Sequence, residues 1–575
     1  MRRRDLSALL FTLGLPVLGL PALSGPALAA APVPAGAAQP GWEALLRLAA
    51  RLRALDADGL TPRYYDIPED ARAAADPNGY VAALYAAALA AMTDLLQGRV
   101  REIAGRPDIR REPPPLAAWQ TSLYGSAEPA EVIERAALLP PDMPALRLAL
   151  QAARARVEAG GWPTIPAGVG TLDPGMEDAL RIPALRGRIA ADDQELAAAI
   201  AAAPEMAQAP LYDAPLEAAV RRWQTANALE ADGRVGPATQ RLLNRPAEAW
   251  LGQIRVAMDL RRGQGAPPPG RRIEVNIPEF RLRVMEGNRQ TMSMAVVVGK
   301  QARATPPLNV RMTAVQFNPP WGVPERNARE DLLPKFRRDP RAMMEKGFRL
   351  FTTVGGERVE VDPTTIDWSS LNARNFPYYV RQDASDVSAL GRLKFVMPNG
   401  DDIYLHDTPD RHLFGRADRA LSSGCIRLSQ PMELLELVLD GVPGWDRARA
   451  QRALDSRQTS FVGLPRTIPV RLAYNSVVVE QGRVRIHQDI YGLDAAYQRL
   501  LDQRRPAVAP VAPPASAGTP VARSTPRPEA TRSETARSET ARPQPVRAAA
   551  TPARAEGVSA RAQATPTTPS STTIE

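Results

Sequence analysis

The sequence predicts a multidomain α+β protein with four parts: a helical N-terminal scaffold, a small three-helix module, a mainly-β domain with an inserted segment, and a disordered C-terminal tail. Two changes of pattern along the 575 residues support this division. In residues 43–160 apolar residues recur every three or four positions, as in amphipathic helices, whereas from residue 271 they alternate with polar residues, as in half-buried strands. After residue 502 Pro, Ala, Arg and Thr dominate, and too few apolar residues remain to form a core.

Composition argues against a nucleic-acid-binding protein. The formal net charge is +9, but the arginines are spread along the chain instead of forming a compact basic run. The 57 prolines are about twice the share found in ordinary globular chains, which predicts long linkers or disordered segments. We therefore expect no nucleic-acid partner.

Residues 1–29 have the pattern of a secretory signal peptide. Three arginines precede a short apolar run, and Ala27-Leu28-Ala29 supplies an A-x-A cleavage pattern. The arginines are compatible with both the general secretory (Sec) route and the twin-arginine (Tat) route. Pro16 and Pro21 disfavour a retained membrane-spanning helix, so membrane contact is expected only through an uncleaved signal sequence. The Ala/Pro-rich residues 30–42 indicate a linker.

Residues 43–195 are predicted to form the helical scaffold. The segments GWEALLRLAARLRALDADGL and GYVAALYAAALAAMTDLLQGRV have the apolar spacing of amphipathic helices. Proline clusters at 113–115 and 140–141 separate the predicted helices.

Residues 196–247 contain helix and turn residues at fixed spacing. Asp232-Gly233 supplies a tight turn between a helix that carries Trp223 and Gln224 and a second helix that begins at Pro237. The segment resembles the three-helix peptidoglycan-binding module, and the matching positions are Val220, Trp223, Gln224, Leu229, Asp232, Gly233, Val235, Gly236 and Thr239. The resemblance implies that Trp223, Gln224, Asp232 and Gly233 are functional residues of this module. The alternative is a helical hairpin with a buried tryptophan.

Residues 271–495 are predicted to be the mainly-β domain. The segment RRIEVNIPEFRLRVMEGNRQTMSMAVVVGK alternates apolar and polar residues, and Glu286-Gly287-Asn288 marks a hairpin turn. Strand signals are sparse in residues 325–385, which we interpret as an insertion. Residues 496–502 are predicted to end a C-terminal helix, and residues 503–575 to form the disordered tail.

Cys425 is the only cysteine of the chain and follows His406 by nineteen positions. A single cysteine in an exported protein indicates a reactive thiol, and a neighbouring imidazole can take its proton. The apolar spacing of CIRLSQPMELLELVL predicts a helix that begins at Cys425, whose N-terminus would lower the thiol pKa. The amides of Gly424 and Cys425 would then form an oxyanion hole. The alternative is that Cys425 is a small buried apolar residue.

These residues also resemble a known catalytic motif. A histidine upstream of [S/T]-x-G-C-[I/V]-R is typical of the YkuD-like catalytic domain of L,D-transpeptidases, and the matching residues are His406, Ser422, Gly424, Cys425, Ile426 and Arg427. The family commonly has histidine at the position of Ser423. The large YcbB-type branch has serine there, as this chain does. That branch has the same order of helical scaffold, peptidoglycan-binding module and catalytic domain with an inserted lid. Residues 382–391 depart from its pattern, which has Pro-Gly and Asn there.

The resemblance implies a mechanism and a set of site residues. Cys425 attacks the carbonyl of the third residue of a peptidoglycan tetrapeptide stem, D-Ala leaves, and an amine of a second stem resolves the thioester into a 3→3 crosslink. His406 acts as base and then as acid, and the backbone carbonyl of Asp407 orients it. Carbapenems would acylate Cys425. The residues implied near the oxyanion or the substrate are Gly424, Tyr404, Ser422, Ser423, Arg427 and Trp321.

Some assignments stay open at this stage. Arg427 either binds a stem carboxylate or holds its loop, and Trp321 either lines the acceptor groove or packs in a core. His412 is the rival base, and His487 is interpreted as structural. Three widely spaced histidines and one cysteine do not have metal-ligand spacing, so no metal and no cofactor are expected.

The acceptor of the acyl group also stays open. Water as acceptor would make the protein an L,D-carboxypeptidase or endopeptidase, and a protein amine would make it an enzyme that attaches envelope proteins to peptidoglycan. A non-enzymatic wall-binding scaffold is the third alternative. The expected partners are peptidoglycan stem peptides and glycan, and envelope proteins are partners only if a protein amine is the acceptor. The expected location is the periplasm.

Overall fold

The computed structural model describes residues 40–504, apart from Glu102, Ala104, Arg110 and Ala228. The predicted signal peptide, most of the linker and all but two residues of the predicted tail lie outside the described residues.

The N-terminal region is helical, as the sequence predicts. Its helices α1 to α6 are Trp42–Arg53, Arg72–Ala75, Pro77–Gln97, Leu116–Gly125, Pro129–Ala137 and Met143–Glu158. Helices α1, α3 and α5 pack their apolar faces into one core, which includes Leu48, Leu52, Leu84 and Ile133. Because the apolar residues of each helix lie on one side, three- and four-residue spacing is sufficient to assemble this core.

Helix α3 is the longest of these helices and the most apolar. Asp76 caps it by accepting a hydrogen bond from the Gly79 amide, and Pro77 occupies its first turn. By length and composition this helix can cross a membrane, but 50% of the apolar window is buried inside the protein. Leu84 and Met92 pack in the helical core. Within the described residues no second helix meets the same test.

The predicted three-helix module shares one core with a helix that precedes it. Helices α7 to α10 are Arg181–Ala190, Gln194–Ala202, Ala214–Ala226 and Pro237–Leu243. Their buried residues centre on Leu216, Val220 and Trp223. The same core takes in Ile165 and Leu172, so the chain from residue 165 packs with the module although the sequence division places it in the scaffold. Helix α11, Ala247–Arg261, then leads to the β domain.

Strands dominate the chain from residue 271 to residue 486. Strands β1 to β15 are Arg271–Asn276, Arg281–Glu286, Arg289–Gly299, Leu308–Phe317, Trp321–Gly322, Phe348–Val354, Glu357–Val361, Tyr379–Gln382, Leu393–Val396, Leu405–His406, Ala420–Ser422, Ile426–Leu428, Ser460–Ala473, Val477–Glu480 and Arg483–Ile486. The predicted hairpin between β2 and β3 is present, with Gly287 at φ 57°. Glycine is favoured there because side chains clash at positive φ.

The main sheet closes on itself like a barrel. Its nine strands lie in the order β11-β3-β12-β10-β9-β4-β13-β1-β2, and β2 also pairs with β3. The interior is filled by side chains such as Val275, Leu282, Val296, Phe317 and Phe395. Helices α15 (Pro431–Leu439) and α16 (Arg447–Asp455) cover one side of this core, as the buried Leu434, Leu435 and Leu454 show, and α17 (Leu493–Leu501) ends the described chain.

The predicted insertion folds as a separate small unit. Strands β5-β8-β6-β7 form a four-stranded sheet in that order. A helix follows β5: it begins as α12 (Glu325–Asn327), continues as the π-helix Ala328–Leu332, and ends as α13 (Leu333–Arg338), before α14 (Pro340–Glu345). Phe336 and Trp368 stack at 5.0 Å in its core. We call residues 321–382 the insertion subdomain.

Asp259, at the end of α11, joins distant parts of the chain. It is fully buried, and its carboxylate accepts hydrogen bonds from the Arg99 amide at 2.7 Å and the Tyr497 hydroxyl at 2.7 Å. Arg111 and Arg262 each approach it at 3.5 Å. Burial alone would raise the pKa of Asp259, but these cations and hydrogen bonds lower it overall. The N-terminal helices are thereby tied to the C-terminal helix.

Replacing Asp259 with Asn should lower the free energy of unfolding by about 3 kcal/mol, because two buried guanidinium groups lose their counter-charge. Urea unfolding followed by circular dichroism measures the loss. The matched control is Asp66→Asn, whose side chain is 78% exposed beside Arg504 and whose loss should cost less than about 0.5 kcal/mol. The Asp259 contribution is present above about pH 5 and disappears as the pH falls through its lowered pKa. Equal urea midpoints for the two variants would contradict this role.

Candidate active site

A short parallel strand pair brings the predicted nucleophile and base together. Strand β10 pairs with β12, so that Leu405 lies opposite Ile426 and His406 lies opposite Arg427. The amide of Ile426 donates to the carbonyl of Tyr404 at 3.1 Å, which places Tyr404 beside Cys425. Cys425, the residue immediately before β12, therefore lies beside the strand that carries His406.

The predicted helix start at Cys425 is wrong. Ile426–Leu428 is strand β12, and the helix begins at Pro431. Burial is the main influence on the Cys425 thiol and raises its pKa above the ordinary value, although Tyr404 and the Lys394 cation act in the opposite direction. The expected lowering of the thiol pKa by a helix N-terminus is therefore wrong as well. The free thiol is predominantly protonated at neutral pH.

His406 is a buried, neutral imidazole. Its side chain is held by a 2.6 Å hydrogen bond between Nδ1 and the backbone carbonyl of Asp407, the contact expected from the sequence. Burial lowers the pKa of His406 to about 3, and the nearby Arg427 cation acts in the same direction. The carboxylate of Asp407 is occupied elsewhere, by Arg411 at 2.6 Å and by the Arg392 amide at 2.9 Å. Asp407 therefore orients the imidazole through its backbone carbonyl and not through its carboxylate.

Tyr404 joins three groups of the site. Its ring meets the His406 ring edge-on at 5.7 Å, and its hydroxyl is near enough to the Cys425 thiol and the Trp321 indole for both to influence its pKa. The Cys425 thiol itself donates to the backbone carbonyl of Asp402 at 3.6 Å. Burial, followed by the neighbouring sulfur, raises the pKa of Tyr404, so the phenol stays protonated and can donate. Trp321 belongs to the insertion subdomain, and this contact connects that subdomain to the thiol.

Lys394 is a site residue that the sequence reasoning missed. Its ammonium lies 3.9 Å from the centre of the Tyr404 ring, a cation–π contact, and its charge acts on the Cys425 thiol. Burial lowers the pKa of Lys394. The signal was available, because Lys394 is one of four lysines among 72 basic residues and stands in a strand between the buried Leu393 and Phe395.

Two serines shape the loop before the nucleophile. The Ser422 hydroxyl donates to the Cys425 carbonyl at 2.6 Å and accepts from the Gly424 amide at 3.1 Å. Gly424 has φ 120°, a backbone conformation that residues other than glycine rarely adopt. The buried Thr305 hydroxyl donates a hydrogen bond of 2.7 Å to the Gly424 carbonyl. The Gly424 amide is thus already engaged, which leaves the Cys425 amide as the better candidate for a developing oxyanion.

Arg303 connects the nucleophile loop to the insertion subdomain. Its guanidinium donates to the Ser423 hydroxyl at 2.8 Å, and it also binds Glu330 at 2.6 Å and the carboxylate of Asp331. The side chain is 5% exposed. Glu330 and Asp331 lie in the π-helical turn, and π-helical turns often occur at functional sites. Sequence reasoning missed this contact because Arg303 and Ser423 are 120 residues apart.

The remaining predicted residues lie around this centre. Arg427 forms an ion pair with Asp410 at 2.9 Å, which favours the loop-holding role over a free carboxylate-binding role. His412 is exposed on the 3₁₀ turn Arg411–Gly415 and is not among the residues that line the cavity around Cys425. His487 lies in a different part of the fold, next to the module. Within residues 40–504 no group of three or more His, Cys, Asp or Glu residues could hold a metal ion.

Cys425 opens onto a large cavity. The volume is about 1050 Å³, and the walls come from both the main sheet and the insertion subdomain. Tyr404, Lys394 and Gly424 line one side, and Trp321, Asn327 and Tyr379 are among the lining residues of the other. This space is at the upper end of small-ligand pockets and suits a peptide-sized substrate.

Comparison with known proteins agrees with this geometry. Residues 270–445 match the family model of the L,D-transpeptidase catalytic domain (YkuD), and residues 208–243 match the model described as "Putative peptidoglycan binding domain". The predicted resemblance is confirmed. A Haemophilus influenzae protein named "Putative L,D-transpeptidase" is 40% identical over 240 residues, which are 42% of this chain and 48% of that relative. The chain thus spans about half the length of this L,D-transpeptidase relative.

Two solved L,D-transpeptidase structures were also found. The one from Xylanimonas cellulosilytica is 14% identical, covers 54% of this chain and 100% of its own, and has a TM-score of 0.17. The one from Stackebrandtia nassauensis is 13% identical, covers 54% of this chain and 97% of its own, and has a TM-score of 0.18. These scores are too low to carry an argument about the fold.

The motif residues of the peptidoglycan-binding match largely bond to one another. Gln224 donates to Asp232 at 2.8 Å and accepts from the Gly233 amide at 2.8 Å, and Gly233 has φ 72°. Gln224 is 1% exposed, so these three residues close the turn from inside. Of the four predicted module residues, Trp223 lines a cavity. A ligand-binding role for any of the four stays a prediction.

The raised pKa of Cys425 and the lowered pKa of His406 predict how the free thiol reacts. Alkylation by iodoacetamide should rise about tenfold per pH unit from pH 7 to pH 8.5, without a plateau at lower pH, because no thiolate–imidazolium pair is populated. Lys394→Met should slow alkylation at pH 8 by about threefold, since a cation that favours the thiolate is lost. The control Lys346→Met changes an exposed lysine and should have no effect. A plateau between pH 5 and pH 7 would show that the ion pair forms in the free protein.

Proposed function

We propose that this protein forms 3→3 crosslinks in peptidoglycan, with Cys425 as the nucleophile of an L,D-transpeptidase reaction. The observation that carries the proposal is the position of Cys425 at the cavity of about 1050 Å³, immediately before strand β12, which pairs with the strand that carries His406. The match of residues 270–445 to the catalytic family supports the reaction class. We place the reaction in the periplasm, which the protein reaches through the predicted signal peptide.

The first half-reaction forms a thioester. The Cys425 sulfur attacks the carbonyl carbon of the third stem residue, and the thiol proton passes to Nε2 of His406. The bond from that carbon to the D-Ala nitrogen breaks, and the same proton moves to the leaving amine. Because the Asp407 carbonyl binds Nδ1, the neutral imidazole presents Nε2 as the acceptor. A low imidazole pKa keeps this base unprotonated before substrate binds.

The second half-reaction regenerates the thiol. The side-chain amine at position three of another stem attacks the thioester carbon, the carbon–sulfur bond breaks, and the amine proton returns to sulfur through His406. In both steps the developing oxyanion needs hydrogen-bond donors. We assign this role to the Cys425 amide and the Tyr404 hydroxyl, and we assign Ser422 and Gly424 to the shape of the loop.

We propose that the insertion subdomain is the lid that arranges the acceptor. Trp321 reaches Tyr404, and the π-helical turn reaches Ser423 through Arg303. The lid therefore contacts both the hydroxyl beside the thiol and the loop that carries it. Peptidoglycan stem peptides are the proposed substrate, and the helical module is proposed to bind the wall through the 208–243 match.

The same site permits other acceptors. With water it would act as an L,D-carboxypeptidase or endopeptidase, and with a protein amine it would attach envelope proteins to the wall. The lid favours transpeptidation over hydrolysis, because a covered site excludes water from the thioester. A non-enzymatic scaffold would not need a thiol next to the Tyr404 hydroxyl and a neutral imidazole held in a fixed orientation.

Intact-mass analysis tests the reaction directly. The full chain is incubated with a carbapenem and, separately, with disaccharide-tetrapeptide. We expect a carbapenem adduct on the unmodified chain and its loss in Cys425→Ala, together with a tetrapeptide dimer that lacks one D-Ala. His406→Gln should retain the fold and lower acylation by at least about a hundredfold, since the proton acceptor is lost. Tripeptide without dimer would move the assignment to carboxypeptidase, and no adduct at all would leave a wall-binding scaffold.

Arg303→Gln tests the connection between lid and nucleophile loop. Dimer formation should fall by about ten- to a hundredfold, while carbapenem acylation, which needs no second stem, should fall much less. The matched control is Arg341→Gln, which makes the same change at an exposed arginine of the insertion subdomain that does not line the cavity. Ser423→Ala should reproduce part of the Arg303 effect. A parallel fall of both reactions with a lower melting temperature would reduce Arg303 to a purely structural role.

A further inference from the structure

A second cavity lies between the module and the rest of the protein. Its volume is about 480 Å³, and the residues that line it do not overlap with those around Cys425. Helix α6, the module, α11 and strand β15 all contribute to its walls. We call it the tryptophan cavity, because Trp162, Trp223 and Trp250 line it together.

The indoles of this cavity are held in fixed positions. Trp162 and Trp250 meet edge-to-face at 4.9 Å, and the guanidinium of Arg188 lies 4.1 Å from the Trp162 ring centre. Arg188 is itself fully buried and is fixed by the Leu243 carbonyl at 2.8 Å. The Trp162 indole donates to the Arg245 carbonyl at 2.8 Å. Fixed aromatic surfaces lose little conformational entropy when a ligand packs against them.

Two side chains that line the cavity each carry a buried nitrogen with no partner among the described residues. The Trp250 indole nitrogen and Nε2 of His487 are both buried and form no hydrogen bond with any described residue. Burial lowers the pKa of His487, so its imidazole is neutral and can donate or accept. Buried polar groups normally find partners, because an unpaired one costs free energy.

The two acidic side chains that line the cavity are paired with cations. Asp193 binds Arg222 through two hydrogen bonds of 2.7 and 2.9 Å, and Asp192 binds Arg188 at 2.7 Å and the Trp223 indole at 3.2 Å. Of the other lining cations, Arg156 donates to the Ala191 carbonyl at 3.0 Å and Arg485 lies 3.8 Å from Glu480. A stem peptide, with its carboxylates and amine, would find both acidic side chains already neutralised. An uncharged ligand with many hydroxyl or amide groups is the better match.

We propose that the tryptophan cavity binds the N-acetylated sugar rings of the peptidoglycan glycan. Pyranose rings present a face of C–H groups that packs against indole rings, and their hydroxyl and acetamido groups can bond to polar side chains of the wall such as Asn227 and Arg222. A volume of about 480 Å³ accommodates a disaccharide. The inference deepens and rests on the proposed function, since it assigns the glycan and the stem peptides to separate sites.

The site is composite. The 208–243 match supplies Trp223, Arg222 and Asn227, whereas Trp162, Trp250 and His487 lie outside it. The module alone would therefore lack two of the three indoles and both unpaired nitrogens. This arrangement also fixes the glycan relative to β15, which belongs to the C-terminal part of the chain.

Calorimetric titration of the full chain tests the inference. The Cys425→Ala variant is used so that no substrate is consumed, and the probes are peptide-free glycan strands and, separately, sugar-free tetrapeptide. We expect glycan to bind and tetrapeptide not to compete for it. Trp250→Leu and His487→Leu should each weaken glycan binding by at least about tenfold. The control Trp119→Leu makes the same change at a half-buried tryptophan of the helical core and should leave glycan binding unchanged.

The outcomes separate this inference from the proposed reaction. Unchanged glycan affinity in both cavity variants at unchanged melting temperatures, competition by tetrapeptide, or no glycan binding at all would overturn the inference. Dimer formation by the unmodified chain is measured in parallel. Dimers without glycan binding would leave the reaction intact and remove the cavity's role, whereas glycan binding without dimers would support the cavity and refute the reaction.

Discussion

The site depends on the pairing of two very short strands, β10 and β12. Each is two or three residues long, but β12 lies between β3 and β10, and β10 between β12 and β9, so both are inside a closed sheet. Interior strands have partners on both sides, which fixes their register. A shift by one residue would turn His406 and Cys425 to opposite faces. The reactive geometry is therefore set by the barrel core rather than by the loop that carries the thiol.

Burial has opposite consequences for the two reactive groups, and both favour an uncharged resting state. It raises the pKa of the thiol and lowers that of the imidazole, so neither ion is stable before substrate arrives. The proton must move during the attack on the carbonyl. A thiol of this kind resists non-specific oxidation and alkylation, since the thiolate is the reactive form. In the proposed reaction, the thiol therefore becomes reactive only when a substrate carbonyl enters the cavity and the oxyanion donors stabilise the charged transition state.

The sequence was sufficient for the architecture and for the residues named by local motifs. Period-two alternation located the β domain, and the histidine and S-x-G-C-I-R pattern located Cys425 and His406. The helix start was placed wrongly because the spacing of MELLELVL was extended backwards, whereas Ile426 and Leu428 already alternate as in a strand and Pro431 occupies the first turn. Contacts between distant segments, such as Arg303 with Ser423, leave no local pattern and could not be found.

The serine at position 423 has a partner that explains its position in physical terms. A hydroxyl can accept one hydrogen bond from Arg303, whereas an imidazolium at the same place would repel that guanidinium. Arg303 in turn needs carboxylates, and the π-helical turn supplies Glu330 and Asp331 from the lid. Because Arg303 is buried, separating it from the more exposed Glu330 and Asp331 leaves its charge without compensation, so displacement of the proposed lid and rearrangement of the nucleophile loop are energetically linked. A change in the position of the lid would therefore affect the nucleophile loop, and the reverse, through the Arg303 side chain.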